Sequence, residues 1–520
     1  MKKSVVITAV MGMGILAGKP FESAAQFSLN GQLRTRTEMR DGVGTLNAKG
    51  AKPAYFTSQR TRLNFGYKWD RLNFNFGLQD VRVWGQDAST INNADGGRLM
   101  VHEANAELTL MNVADTTIKT KLIDNLALKI GRQYLVYDDA RLLGDLDWLQ
   151  QGRRHDAAVL KAMHKGWQVD LGAGFNQNAD AFGTAGTSYV PGNVPAYVTN
   201  SNGVLVAAPA GLLPLSPGGA VGASSSKGGA PVLANTVSTN GMNQAYKSMQ
   251  FLYVSRKFGQ TKVSGLVFKD DFAKYRLDSA GSAAGGYVYG RRYDVQGVNS
   301  RFTYGLMATG TIGNASGLKK TWTAGAYFQS GNNKEGQNLK TAHYTAALTM
   351  QKGKFSFGPG YDYLSGNDGT APSATDNRFD PLYGTPHKFW GFMDYYYVGT
   401  GSPAGGLQNA YIKTRYTAKD LFITLDAHRF DLADKTINTL SSNKAQLDKH
   451  LGYEFDLVAN YTLNKFTEIQ AGYSYMVANN STEFVKKGTM DKTNQRPQWA
   501  FVMINIRPDF FFTKPVAIRP

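Results

Sequence analysis

The sequence predicts an all-β fold: a transmembrane, antiparallel, up-and-down β-barrel of about 18 strands. Three observations predict it. Segment after segment alternates with period two, apolar residues on one face and polar or charged residues on the other. The connections between these segments alternate between long and short to the end of the chain. The chain also begins with Lys2 and Lys3, an apolar stretch from Ser4 to Gly18, and small residues at Ser23, Ala24 and Ala25. Residues 1–25 therefore read as a secretory signal peptide cut after Ala25.

Composition narrows the field before the strands are placed. No linker or shift in composition divides the 520 residues, and large barrels are the usual exception to the rule that such length means several domains. Beyond the leader no run reaches the ~18 apolar residues that a membrane helix needs. With no cysteine there are no disulfides, thiolate metal sites or cysteine nucleophiles. Gly12 and Gly14 in the leader mimic a dinucleotide fingerprint, but no second half follows. A soluble sandwich shares this composition, yet has no reason to alternate its connections.

The first strand is Gln26–Arg40. Phe27, Leu29, Leu33 and Met39 share one face; Asn30, Gln32, Arg34, Arg36, Glu38 and Arg40 share the other. In Tyr55–Trp69, Leu63, Phe65, Tyr67 and Trp69 oppose Arg60, Arg62, Asn64 and Lys68. Asp70 and Arg71 form a tight turn into a strand whose Leu72, Phe74, Phe76 and Leu78 oppose Asn73, Asn75 and Gln79. Tyr67 and Trp69 lie beside that turn, as an interfacial aromatic girdle requires. The chain is organised around Leu126–Lys161. Its arms alternate at Leu126, Leu128 and Ile130 and at Ala157 and Val159, and its connection holds Arg132, Arg141, Arg153 and Arg154 with Asp138, Asp139, Asp145 and Asp147. This unit reads as a hairpin whose connection carries guanidinium groups towards an aqueous lumen.

Short turns face the periplasm and long loops face outward in such barrels. The pattern gives a barrel over 26–507, long extracellular loops at 177–245 and 365–407, and a periplasmic tail at 508–520 whose Phe510, Phe511 and Phe512 play the part of a terminal aromatic. Even strand number demotes one aromatic candidate, His387–Val398, to a loop folded over the mouth. The Ala/Gly/Ser/Pro-rich stretch 177–245 reads as a flexible surface loop, with a lumen plug as the sharper alternative. The C-terminal strand is Trp499–Ile506.

The net charge is +18. Arg34, Arg36, Arg40, Arg60 and Arg62 fall on the polar faces of adjacent strands and make one basic wall, and Lys413 and Arg415 face inward on a later strand. Guanidiniums there bind carboxylates by directed, paired hydrogen bonds and focus positive potential in the lumen. Glu103, Glu107, Asp426, Glu454, Asp456 and Glu468 also face inward, and a basic wall facing an acidic one is the arrangement of a general porin. Passage of a polyanion, passage of small anionic or polar solutes, and a non-conducting barrel whose loops capture a ligand all remain open. Charge spread over strands is a poor nucleic-acid surface. No GxSxG elbow or HExxH pair occurs, the seven histidines are scattered, and Asp138-Asp139 reads as turn chemistry before glycoside hydrolysis. The expectation is a monomeric channel in the bacterial outer membrane, in contact with its lipid and open to periplasmic partner proteins. It is not an enzyme and has no cofactor or metal.

Two blocks carry a family resemblance. GRQ at Gly131–Gln133, LLGDLDW at Leu142–Trp148 and GRRHDA at Gly152–Ala157 together resemble the alginate-export family of outer-membrane porins. FDPLYGTPHKFWGFMDYYYVG at Phe379–Gly399, with GLQNAYIK at Gly406–Lys413, looks like the matching C-terminal signature. The resemblance implies a wide monomeric barrel with an arginine-lined constriction that passes a polyuronate. Arg132, and more loosely Arg153, Arg154 and Asp156, are the substrate-binding positions it carries over. Residues 177–245 and the C-terminal tail depart from the family pattern.

Overall fold

A computed structural model describes residues 26–85, 99–113, 123–176, 179–181, 186–188, 194–233, 246–314, 317–371, 373–397 and 403–512. The leader and most of the 87–100 and 113–123 connections lie outside the described residues. Eighteen strands close a single antiparallel ring. They are β1 (Gln26–Asp41), β2 (Ala54–Trp69), β3 (Leu72–Val83), β4 (Met100–Asn112), β5 (Asn125–Gln133), β6 (His155–His164), β7 (Trp167–Phe175), β8 (Ser248–Phe258) and β9 (Thr261–Ala273). The second half comprises β10 (Val298–Ile312), β11 (Lys319–Gly331), β12 (Thr341–Lys352), β13 (Phe355–Leu364), β14 (Leu407–Thr417), β15 (Leu421–Asp431), β16 (His450–Asn464), β17 (Thr467–Ala478) and β18 (Gln498–Ile506). Each pairs with its sequence neighbours, and β18 returns to β1 from Leu33↔Ile506 to Asp41↔Gln498. One chain thus closes the wall and leaves no free edge, the condition for strands in hydrocarbon.

Alternation decides which side faces lipid. Large apolar side chains remain exposed on the outer face, among them Ile130, Leu171 at 57%, Leu306 at 63%, Phe455 and Val502. Such a continuous apolar band would be unfavourable in water and is satisfied by acyl chains. Inward positions carry Gln, Asn, Thr, Arg, Asp and Glu.

Three segments differ from the sequence expectation. Residues 194–233 are not a bland surface loop: Leu212–Ser216 is buried and pairs with Gly286–Arg292, which pairs with Arg276–Ser282. Two long connections at one end of the barrel therefore share a small sheet around Val198, Leu212 and Val288. The stretch after β18 begins as wall: Asp509–Phe512 pairs with the start of β1, and the Gly31 N–H donates to the Pro508 carbonyl at 2.9 Å. The described part of the aromatic stretch from His387 is a loop, as expected, but it lies buried inside the lumen and does not fold over the mouth. A helix, α1 (Asn480–Lys487), lies in the last long connection. Asn479 accepts from the Thr482 N–H at 3.1 Å, and Gly488 ends the helix at φ 65°.

Candidate functional site: a constriction built from two inserted loops

The apolar core of the molecule lies within the barrel. Leu135, Leu142 and Leu143 of the β5–β6 loop pack with Phe379, Leu382, Tyr383, Trp390, Met393, Tyr395 and Tyr396 of the β13–β14 loop. These residues are too apolar to stay in water, and the wall adds inward apolar partners, among them Phe251, Phe268, Phe430, Trp499 and Phe501. Burial against one another is what draws both loops inward. The two loops are also joined through backbone. The Gly144 N–H donates to the Tyr383 carbonyl at 3.1 Å, the Tyr383 N–H to the Leu142 carbonyl at 2.9 Å, and the Thr385 N–H to the Ala140 carbonyl at 2.8 Å. Gly384 admits this approach, because a β-carbon there would lie 1.9 Å from the Arg141 carbonyl oxygen.

The β1–β2 wall holds the first loop. The register sets Arg34 opposite Arg60 and Gln32 opposite Arg62, so like charges crowd one face and need a counter-charge. Asp147 of the inserted loop provides it. Arg60 grips that carboxylate with two bonds of 2.9 and 3.0 Å, and Arg62 adds one of 2.9 Å. Arg34 donates to the Asp147 carbonyl at 2.8 Å and to the Gln150 side chain at 3.0 Å. Arg36 donates to the Trp148 carbonyl at 3.0 Å and to Glu38 at 2.8 Å, with its guanidinium 4.5 Å from the Trp148 ring centre. Arg34, Arg36, Arg60 and Arg62 are all buried by this contact.

A second wall, β15–β16, holds the other loop with the opposite charge. Glu454 accepts the Met393 N–H at 2.8 Å, and Asp456 accepts the Phe392 N–H at 3.3 Å. Gly391 makes the approach feasible: its φ is +80°, and a β-carbon would lie 2.5 Å from a Glu454 carboxylate oxygen. Trp148 bridges the two loops. It stacks on His387 at 4.6 Å with planes 6° apart, and meets Trp499 and Phe501 of β18 edge-on.

The remaining residues of the sequence reading divide clearly. Arg141 is buried between Asp362 at 2.8 Å and Asp139 at 3.3 Å. Arg153 is buried and donates to the Gly384 carbonyl. Arg154 donates to the Gln151 carbonyl at 3.3 Å and makes no ion pair among the described residues. Arg40 is half-exposed and shares Glu38 with Arg36. Lys413 faces inward, paired with Asp426 at 2.9 Å, and Arg415 lies over Phe422. Arg132 and Asp156 are corrected: they pair with each other at 2.8 Å on the outer face, at the loop end of β5 and β6. Arg132 is two residues from the lipid-facing Ile130, so strand parity excludes it from the lumen.

Sequence reasoning missed Asp147 as the keystone of the basic wall and missed Trp148. Their signal was the apolar content of LLGDLDW, too greasy for an exposed loop. Nearer the short turns Lys129, Lys161, Asp138, Asp170, Tyr253 and Lys262 border a cavity of about 320 Å³.

No protein-family model matches the chain, and no curated protein matches it. Its fold does match solved structures of Pseudomonas aeruginosa outer-membrane porins. OpdQ aligns at TM-score 0.51 and 13% identity, over 94% of this chain and 98% of that one. OccK9 (OpdG) aligns at 0.51 and 13%, over 93% and 98%, and OpdO at 0.52 and 10%, over 93% and 98%. What these structures share with this chain is the barrel. The closed wall and its outer apolar band make this a bacterial outer-membrane protein.

Proposed function

We propose that the barrel is a monomeric channel for anionic solutes, selected by guanidinium groups at the constriction. One observation carries the reading: Arg34, Arg60 and Arg62 share a single carboxylate, Asp147, and Arg154 beside them makes no ion pair among the described residues. Along the β1–β2 face of the constriction positive charge therefore exceeds negative, and low-dielectric walls focus its field on a passing anion. Carboxylates suit guanidinium donors, and several weak contacts along the wall, Lys413 and Arg415 included, let an anion move on where one tight site would hold it.

The finer reading, a uronate-type polysaccharide, follows from the motif resemblance. A uronate offers a carboxylate to the arginines and hydroxyls to the Asn- and Thr-rich inner wall. The tightly packed inserted loops favour a single uronate or a short oligomer over a thick polymer.

A second reading, a general porin for small polar solutes, draws on Glu454 and Asp456, which face the same lumen from β16. Reversal potentials across planar bilayers under a salt gradient decide between the two. The proposal expects anion preference, reduced in Arg62→Gln with Arg154→Gln. Preference for cations overturns it, and conductance without preference favours the general porin. No conductance, even after residues 379–397 are removed, favours a surface-binding barrel.

A further inference from the structure

The two rims of the barrel treat charge differently. At the extracellular strand ends, outward charges are paired: Asp80 with Arg82 at 2.7 Å, Arg132 with Asp156 at 2.8 Å, Lys269 with Asp271 at 2.5 Å and Arg429 with Asp431 at 2.8 Å. At the short turns the pattern reverses. Lys165, Lys320, Lys352, Lys354, Lys419 and Lys465 are exposed, and none makes an ion pair among the described residues. The acids nearby are few: Asp70, Asp124, Asp420 and Asp509.

The height of these lysines is set by the aromatics beside them. Trp167 at 40% exposure lies at the turn of Lys165 and Phe355 at 65% at that of Lys352 and Lys354, and Trp69 and Phe258 are exposed at two further short turns, as girdle residues are at the headgroup level. Lys465 lies 4.6 Å from the ring centre of Phe466. Lys352 pairs in register with Phe355, and Lys320 with Met350; by strand parity both lysines are on the lipid side of the wall. A lysine that faces lipid cannot guide a solute through the lumen. It can extend its ammonium along the barrel surface to a phosphate.

We propose that the periplasmic turns form a cationic collar that binds the phosphate headgroups of anionic phospholipids in the inner leaflet of the outer membrane. Five of the short turns supply exposed lysines at headgroup height, so lipids with net negative charge are enriched around the barrel relative to zwitterionic ones. The paired extracellular rim makes no such selection.

The test uses the refolded full chain in nanodiscs with spin-labelled phosphatidylglycerol or phosphatidylcholine as the reporting lipid. The expected result is a preference for phosphatidylglycerol of about fivefold at low salt, falling towards unity at high salt. A variant carrying Lys→Gln at Lys165, Lys320, Lys352, Lys354, Lys419 and Lys465 loses the preference. Lys→Arg at the same positions retains it, as does Arg82→Gln with Arg429→Gln on the other rim. Absence of preference in the unmodified chain overturns the proposal, as does a Lys→Gln variant that keeps it. A Lys→Gln variant that shifts the reversal potential but not the lipid preference also overturns it, and assigns the collar to solute steering. The lipid measurement needs no conductance, so its outcome is separate from that of the channel reading.

Discussion

The two charged walls of the lumen hold their loops by opposite chemistry. On β1–β2, guanidiniums donate to the backbone carbonyls of Asp147 and Trp148 and to one carboxylate. On β15–β16, carboxylates accept the backbone N–H groups of Phe392 and Met393. Each wall gives the inserted backbone the partners it would otherwise find in water. The basic wall also keeps its five arginines in excess of the two acids they share, Asp147 and Glu38. On the acidic wall each carboxylate accepts one loop N–H with one oxygen, so the proposed anion preference rests on the basic side.

This contrast can be broken in graded steps. The largest effect is expected from Arg60→Ala. Arg60 is fully buried and grips both Asp147 oxygens and Gln32, and losing one partner of such a site costs about 3–5 kcal/mol. Hydrogen exchange should show the 145–150 segment losing protection while the 389–397 segment keeps most of its own. Glu454→Ala reverses the pattern, exposing 389–397 at a cost of about 1–3 kcal/mol for the orphaned Met393 N–H. Gly391→Ala should act on the same loop by strain and collision, for about 1–3 kcal/mol, and lower the midpoint of urea unfolding in micelles. The smallest effect is at the rim. Burial pushes the Glu483 carboxyl up, but the N–H groups of Lys492 and Thr493 and the hydroxyls of Thr493 and Thr489 outweigh it and hold the group below its ordinary value. Its contribution is complete at neutral pH and is lost as pH falls below about 4.3 towards the folded-state value. Proteolysis of the 479–497 connection should rise in that acid window, and Glu483→Gln should remove the pH dependence.

Much of the wall was legible in the sequence. Period two set the faces, and turns such as Asp70-Arg71 and the alternation of loop lengths set the count, because both follow from lipid on one side and water on the other. The same rule would have placed Arg132 outside. Leu126, Leu128 and Ile130 put its parity on the lipid face, whereas the GRQ motif points to the lumen. The contents of the lumen were less legible. Periodicity states which face a residue occupies and says nothing of what fills the space beyond it. The apolar content of LLGDLDW and FDPLYGTPHKFWGFMDYYYV was the available sign that these loops seek burial, and it distinguishes them from the Gly/Ala/Ser/Pro-rich stretch.

The central claim is that the β5–β6 loop stays seated on the arginine wall while solute passes. The chain has no cysteine, so Ser58→Cys with Gln150→Cys can tether the loop through a short reducible dithiol cross-linker that spans the reach of the Gln150 side chain, whose amide now lies 2.9 Å from the Ser58 hydroxyl. Single-channel recordings should then give the same conductance and anion preference before and after reduction of the tether. A conductance that is absent while tethered and restored by reduction would show that the loop must leave the wall, and would contradict the account.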